Sequence, residues 1–213
     1  MSRLVLASAS PRRRELLGAL GVEFDVHPSH VDEDPLPGET PFQTQRRVTH
    51  AKAATVAATL EDASRWVIAC DTTVLLDGDM LNKPADAAEA RHMLARLRGR
   101  AHEVRSCVVV ARAGVAQAAE VATAVQMREY SDAEVEAYIA TGDCFDKAGA
   151  YAAQHREFHP VARIVGCPLN VIGLPLCRLR GLLPDLPPSE PVCERYAGRP
   201  CAAALAEPVR RHR

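Results

Sequence analysis

Trp66-Val67-Ile68-Ala69-Cys70-Asp71 decides the fold class: five apolar residues without a polar break, closed by an aspartate. A strand with one wet face alternates polar and apolar residues. An unbroken apolar run reads as a strand covered on both faces, the usual state of a central strand in an α/β sheet. Upstream, Leu4 to Ala7 reads as a shorter buried strand. Ser10-Pro11 then signals a helix start, with Ser as N-cap and Pro at the first helical position. Leu16, Leu17 and Leu20 give that helix an inner face and Gly21 ends it. Phe24 to His27 suggests another strand, and the acidic, proline-containing segment 32–38 a loop. Thr40-Pro41 repeats the cap-plus-proline signal for a helix running to about Leu60.

Downstream, Thr72 to Leu76 continues extended and Asp77-Gly78-Asp79 makes a tight turn. Residues 86–98 form an amphipathic helix closed by Gly99. Val104 to Ala111 and Val115 to Val125 read as paired strands around Ala113-Gly114. Ser131 to Glu134 is a capping box. Val161 to Val165 is a late strand, and a helix follows Pro168. Alternating strands and helices, interrupted by a hairpin, predict an α/β fold with a mixed central sheet. From residue 184 the texture changes: six of the 15 prolines fall in the last 30 residues. The sequence therefore divides into residues 1–183 and an irregular tail, 184–213.

The chain has 213 residues, 47% hydrophobic and 25% charged, which suits one sizeable globular domain. A formal net charge of -1 gives no global attraction to nucleic acid or anionic membrane, so anion binding must be local. The apolar stretch near the N-terminus is too short for a signal-peptide core or a membrane span. Seven scattered cysteines without a CxxC pair fit a reduced, cytoplasmic setting. Only three of the 26 basic residues are lysine: Lys52, Lys83 and Lys147. A chain that spends arginine so freely keeps a compact ammonium for places that need one, such as a phosphate site.

Ser8-Ala9-Ser10-Pro11-Arg12-Arg13-Arg14 places three cations in the first turn of a helix, where they oppose the macrodipole. The arrangement makes sense around an anion held by backbone N–H groups, the hydroxyls of Ser8 and Ser10 and the guanidinium forks of Arg12 and Arg13. A triphosphate fits. Asp71, expected at the carboxyl end of its strand, lies where α/β sheets carry ligand sites, and its carboxylate suits Mg²⁺ or an attacking water. Asp32-Glu33 is a second acidic point. Lys83 and Lys147 follow turn or loop residues, and the amide of Gln154 can read a base edge as donor and acceptor at once. No GxxxxGK[ST] occurs, which argues against a P-loop kinase or ATPase. Aromatics at 4% and a purely local basic patch argue against a nucleic-acid binder. His155, His159, Cys193 and Cys201 do not follow finger spacing and read as structural residues.

Taken in order, Leu6 to Arg13, Asp32-Glu33, Lys52, Asp71-Thr72, Lys83-Pro84, Asp146 to Gln154 and Gly173-Leu174-Pro175 resemble the Maf family of nucleotide pyrophosphatases, related in fold to the inosine triphosphatases. The resemblance spans about residues 3 to 182 and covers all three lysines. It implies an elongated, two-lobed α/β fold with a cleft between the lobes, often as a homodimer. It implies that Asp71 is the catalytic proton acceptor and that Arg12, Thr72 and Gln154 tune substrate choice. Arg12 and the Lys147-to-Tyr151 stretch look like the branch that favours dTTP and UTP over the branch that favours 7-methyl-GTP. The sequence departs from that branch at His155-Arg156, where glycine is usual, at Asn82 before Lys83, and in the extra tail. The expected reaction is hydrolysis of a nucleoside triphosphate to monophosphate and pyrophosphate. Ser8, Ser10, Arg12, Arg13, Lys52, Lys83 and Lys147 would hold phosphate, and Asp71 and Glu33 would hold Mg²⁺ or Mn²⁺. The rival expectation, also from the family, is a nucleotide-sensing protein that restrains septum formation.

Overall fold

The computed structural model describes residues 4–198; Met1 to Arg3 and residues 199–213, with Cys201, lie outside the described part. Its core is one mixed sheet in the order β2-β1-β3-β5-β6-β7. β1 (Leu4–Leu6) runs parallel to both β2 (Phe24–Val26) and β3 (Trp66–Leu76). β5 (Ala101–Arg112) and β6 (Val115–Met127) form the expected hairpin, and β7 (Val161–Val165) adds to β6. The hairpin turn uses Ala113 and Gly114 at φ 50 and 80, the left-handed geometry that matches strand twist.

The strand of residues 66–76 is covered as its apolar run requires. Val67 and Ala69 pack in the cluster beneath α2 (Pro41–Thr59), while Ile68 and Cys70 enter the cluster of Leu16, Leu17 and Leu174 on the other face. Side chains alternate across a strand, so Asp71 shares a face with Ala69 and Thr72 shares one with Cys70. The expectation that Asp71 closes its strand is corrected: it lies in the middle of an eleven-residue strand. Asp71 and the following threonines stay extended because β5 pairs with β3 continuously from Val67 to Leu75.

The opposite edge of β3 is interrupted. β1 ends there beside Ile68, with Ala7 N–H donating to the Ile68 carbonyl, and β4 (Asp79–Leu81) pairs only from Val74 onward. Residues 69–73 therefore face a gap between two strands on the same edge. Asp71 and Thr72 look to opposite faces of the sheet and still meet in this opening.

The caps read from sequence are present: Ser10 on α1 (Pro11–Gly18), Thr40 with Gln43 on α2, and Ser131 with Glu134 on α4 (Asp132–Ala140). The amphipathic helix α3 (Ala87–Leu97) buries Ala90, Met93, Leu94 and Leu97 in a second core with Met127 and Tyr138. After Pro168 the chain forms α5 (Pro168–Ile172) and α6 (Leu176–Leu182). The expectation of an irregular tail is also modified. Glu190–Ala197 forms α7, which accepts Pro191 in its first turn and buries Val192 and Cys193 in the same cluster as Leu174. Burying one valine contributes about 1.5–3 kcal/mol, enough to seat a short helix.

A 3-10 turn, Ala148–Ala150, brings the Lys147 segment to the opening, with Gly149 N–H donating to the Asn82 carbonyl at 3.1 Å. Gly149 has φ 70, and a Cβ there would stand 3.0 Å from Val74 Cγ1. Gly149→Ala is expected to destabilise the protein by about 1–3 kcal/mol through left-handed strain and crowding. Thermal denaturation checks this, and an unchanged Tm would contradict it.

Candidate active site

A cavity of about 630 Å³ fills the gap in the sheet edge, within the size range of small-molecule sites, about 300–1,000 Å³. The β1–α1 turn supplies Ser8, Ser10, Arg12 and Arg13 to its wall. α2 supplies Lys52, the central strand Asp71 and Thr72, and the loops Glu33, Lys83 and Lys147. Gln154 is absent from this wall. It is exposed and lines a separate depression of about 360 Å³ with Arg163 and Tyr196, because the chain turns outward after Ala152.

Arg13 is fixed by acceptors from three segments. Its Nε donates to the Gly173 carbonyl at 2.9 Å, Nη1 to Ser8 Oγ at 3.1 Å and Nη2 to Thr72 Oγ1 at 3.3 Å. The Cys70 thiol donates to the same Gly173 carbonyl at 3.4 Å, and burial pushes that thiol's pKa up, so it stays neutral. Ser10 Oγ caps α1 by accepting from Arg13 N–H. Both serine hydroxyls are used here as acceptors, so each keeps its proton for an anion in the cavity. Arg12 is half-buried. Burial lowers its pKa and the neighbouring carboxylates of Asp146 and Asp143 partly restore it. A guanidinium left in that state gains from an anionic ligand.

On the other face of the strand, Lys52 Nζ lies 2.9 Å from Asp71 Oδ1 and 2.9 Å from Glu33 Oε1. Lys52 is buried in α2, whereas the Glu33 side chain is 59% exposed and free to turn. Two carboxylates thus converge on one cationic point. Gln45, which sequence reading missed, holds the strand in place. The two protons of its buried Nε2 are shared among three acceptors: Thr73 Oγ1 at 2.8 Å, Arg105 O at 3.0 Å and Asp71 O at 3.3 Å.

Lys83 is exposed at the rim of the cavity. Lys147 differs from expectation. It is buried, and its ammonium donates to the Asp143 carbonyl at 2.5 Å, Asp143 Oδ1 at 2.7 Å and Asp146 Oδ1 at 2.5 Å. Its three donors are engaged within the loop, and it shapes the wall instead of offering charge to it. Asp146 in turn has a lowered pKa: burial raises it, but the hydrogen bond and charge of Lys147 and the charge of Arg12 outweigh that. Tyr151 closes the apolar side, its hydroxyl 2.7 Å from His102 Nε2. Burial pushes His102 down to about 4, so the ring is neutral at physiological pH.

Among the described residues no cluster of three or more His, Cys, Asp or Glu side chains is arranged to hold a metal. No helix among them is long and apolar enough to cross a membrane.

An α/β sheet with a serine–arginine turn on one side of an edge gap and a lysine–carboxylate pair on the other defines a class of anion-binding, hydrolase-like clefts. Residues 3–186 match the model of the family described as Maf-like protein. A dTTP/UTP pyrophosphatase of Geobacter metallireducens is 48% identical over 181 residues, covering 84% of this chain and 93% of the relative. One from Anaeromyxobacter dehalogenans (strain 2CP-C) is 47% identical over 185 residues, covering 85% and 92%. The chain belongs to the Maf family.

Proposed function

We propose that this chain is a nucleoside triphosphate pyrophosphatase that cuts between the α and β phosphates, with dTTP and UTP as preferred substrates. The observation that carries the reading is the single cavity in which Arg12, Arg13 and the serine hydroxyls face the Lys52–Asp71–Glu33 group. The preference for pyrimidines is supported by the names of the relatives and by Arg12 and Thr72 lining the cavity. Gln154 contributes to base choice from its neighbouring depression in this reading.

The triphosphate lies across the β1–α1 turn. Ser8 and Ser10 donate their hydroxyl protons to phosphate oxygens, and Arg12 and Lys83 neutralise them. Arg13, clamped at Nε, presents its fork without paying to be ordered. Asp71 accepts the proton of the water that attacks the α-phosphorus, and Lys52 orients its carboxylate. The leaving pyrophosphate is held by the same cations. Asp71 and Glu33 also suit Mg²⁺ or Mn²⁺. They place two hard oxygens around one cationic point, and such ions take their remaining ligands from phosphate and water. The ion, when bound, supplies charge neutralisation and a polarised phosphoryl group. The catalytic unit in this reading is residues 1–183, with 184–213 an addition. The family resemblance supports a cytoplasmic homodimer.

The test is a panel of nucleoside triphosphates, methylated ones included, assayed for pyrophosphate with Mg²⁺ or Mn²⁺. Pyrophosphate and monophosphate are expected in equal amounts, fastest from dTTP and UTP. EDTA is expected to abolish release and excess Mg²⁺ or Mn²⁺ to restore it. Tight nucleotide binding with no pyrophosphate formed would favour the sensing role instead.

A further inference from the structure

Ser106 lies on β5 directly across from Thr72, fully buried and outside the cavity wall. Its Oγ is 2.8 Å from Thr72 Oγ1, the atom that also accepts from Arg13 Nη2. A guanidinium only donates, so one lone pair of Thr72 is committed to Arg13. The Thr72 proton and its second lone pair remain. The Ser106 hydroxyl can serve both, because it accepts or donates by rotating its proton, and the Cys70 sulfur beside them is within hydrogen-bond reach of both hydroxyls.

We infer that Ser106 is a positioning residue that acts on substrate only through Thr72. With no acceptor in the cavity, Thr72 donates to Ser106. When a base carbonyl or phosphate oxygen arrives, Thr72 turns its proton to that ligand and Ser106 donates back. In both states Thr72 stays satisfied and Arg13 keeps its acceptor. With Ser106→Ala, Thr72 keeps its lone pair on Arg13, but no hydroxyl donates to its second lone pair or fixes the rotamer that aims its proton at the ligand, and the cost falls on ligand binding. Asp71 is on the opposite face of the strand and is held by Lys52 and Gln45, so the chemical step is spared.

This inference rests on the proposed pyrophosphatase reading and deepens it. The test is steady-state kinetics of Ser106→Ala, Thr72→Val and the double variant with dTTP and UTP, each checked for fold by circular dichroism. Loss of one hydrogen bond to a neutral group corresponds to about fivefold in affinity. Ser106→Ala is expected to raise KM about fivefold with kcat changed less than twofold, and to add nothing in the Thr72→Val background. Ser106→Thr retains the hydroxyl and is expected to keep KM near that of the parent. An unchanged KM in Ser106→Ala would overturn the inference, as would an equal effect with and without the Thr72 hydroxyl. In either case wild-type pyrophosphate release leaves the broader reading standing, whereas its absence removes that reading itself.

Discussion

Asp71→Asn is expected to cut turnover by about 10²–10⁴-fold, the range that positioned general acid–base catalysis supplies. The substitution keeps the side chain's shape and one oxygen. It removes the negative charge that faces Lys52 at 2.9 Å and the ability to accept a proton from water. The strand itself does not depend on that carboxylate: β3 is paired with β5 on both sides of residue 71, and Gln45 holds the Asp71 carbonyl. Tm should therefore stay close to that of the parent, and substrate binding should persist. Pyrophosphate assays with isothermal titration of a non-hydrolysable triphosphate separate the two effects. Near-normal turnover would remove Asp71 from the chemistry.

Arg13→Met is expected to have the next largest effect, a loss of about 10²–10³ in kcat/KM, comparable to removing one preorganised donor from an anion-stabilising site. Methionine keeps much of the aliphatic bulk and deletes the fork. Three acceptors lose the guanidinium at once: the Gly173 carbonyl, Ser8 Oγ and Thr72 Oγ1. Because the Gly173 carbonyl still receives the Cys70 thiol, α5 keeps one of its ties to the strand. Arg13→Lys should recover little, since one ammonium cannot span acceptors drawn from three segments. A lysine variant with full activity would show that only the charge matters and that the clamp does not.

The parts of this fold that could be read from sequence are those set by neighbours in the chain. Ser10-Pro11, Thr40-Pro41 and Ser131 to Glu134 announce helix starts by local hydrogen bonding, and all three caps are made. The apolar run from Trp66 announced a strand covered on both faces. Thr72 to Leu76 also reads as extended, but the sequence does not show that Asp71 joins the two stretches into one strand, because that continuity is held by β5, which pairs with β3 from Val67 to Leu75. Nor could it show the gap between β1 and β4, which depends on where two other strands stop.

The site divides the same way. Cations beside a helix start and a carboxylate after an apolar run are local signals. Gln45 and Ser106 carry none, since a glutamine in a helix and a serine in a strand acquire their roles only from partners across the sheet. Lys147 differs for a reason that is itself local. Asp143 lies four residues before it and Asp146 one, a spacing that already offers the ammonium partners nearer than any ligand. Pro191 and its neighbours suggested an irregular tail, yet a proline in a first helical turn forfeits no hydrogen bond, and the buried pair Val192 and Cys193 decides in favour of α7.

Hydrolysis in ¹⁸O-enriched water reports which phosphorus the water attacks. With UTP as substrate, the label is expected in UMP and not in pyrophosphate. Label recovered in pyrophosphate, or orthophosphate as the product released, would mean that the cleft presents a different phosphorus to the water beside Asp71 and would contradict attack at the α-phosphorus.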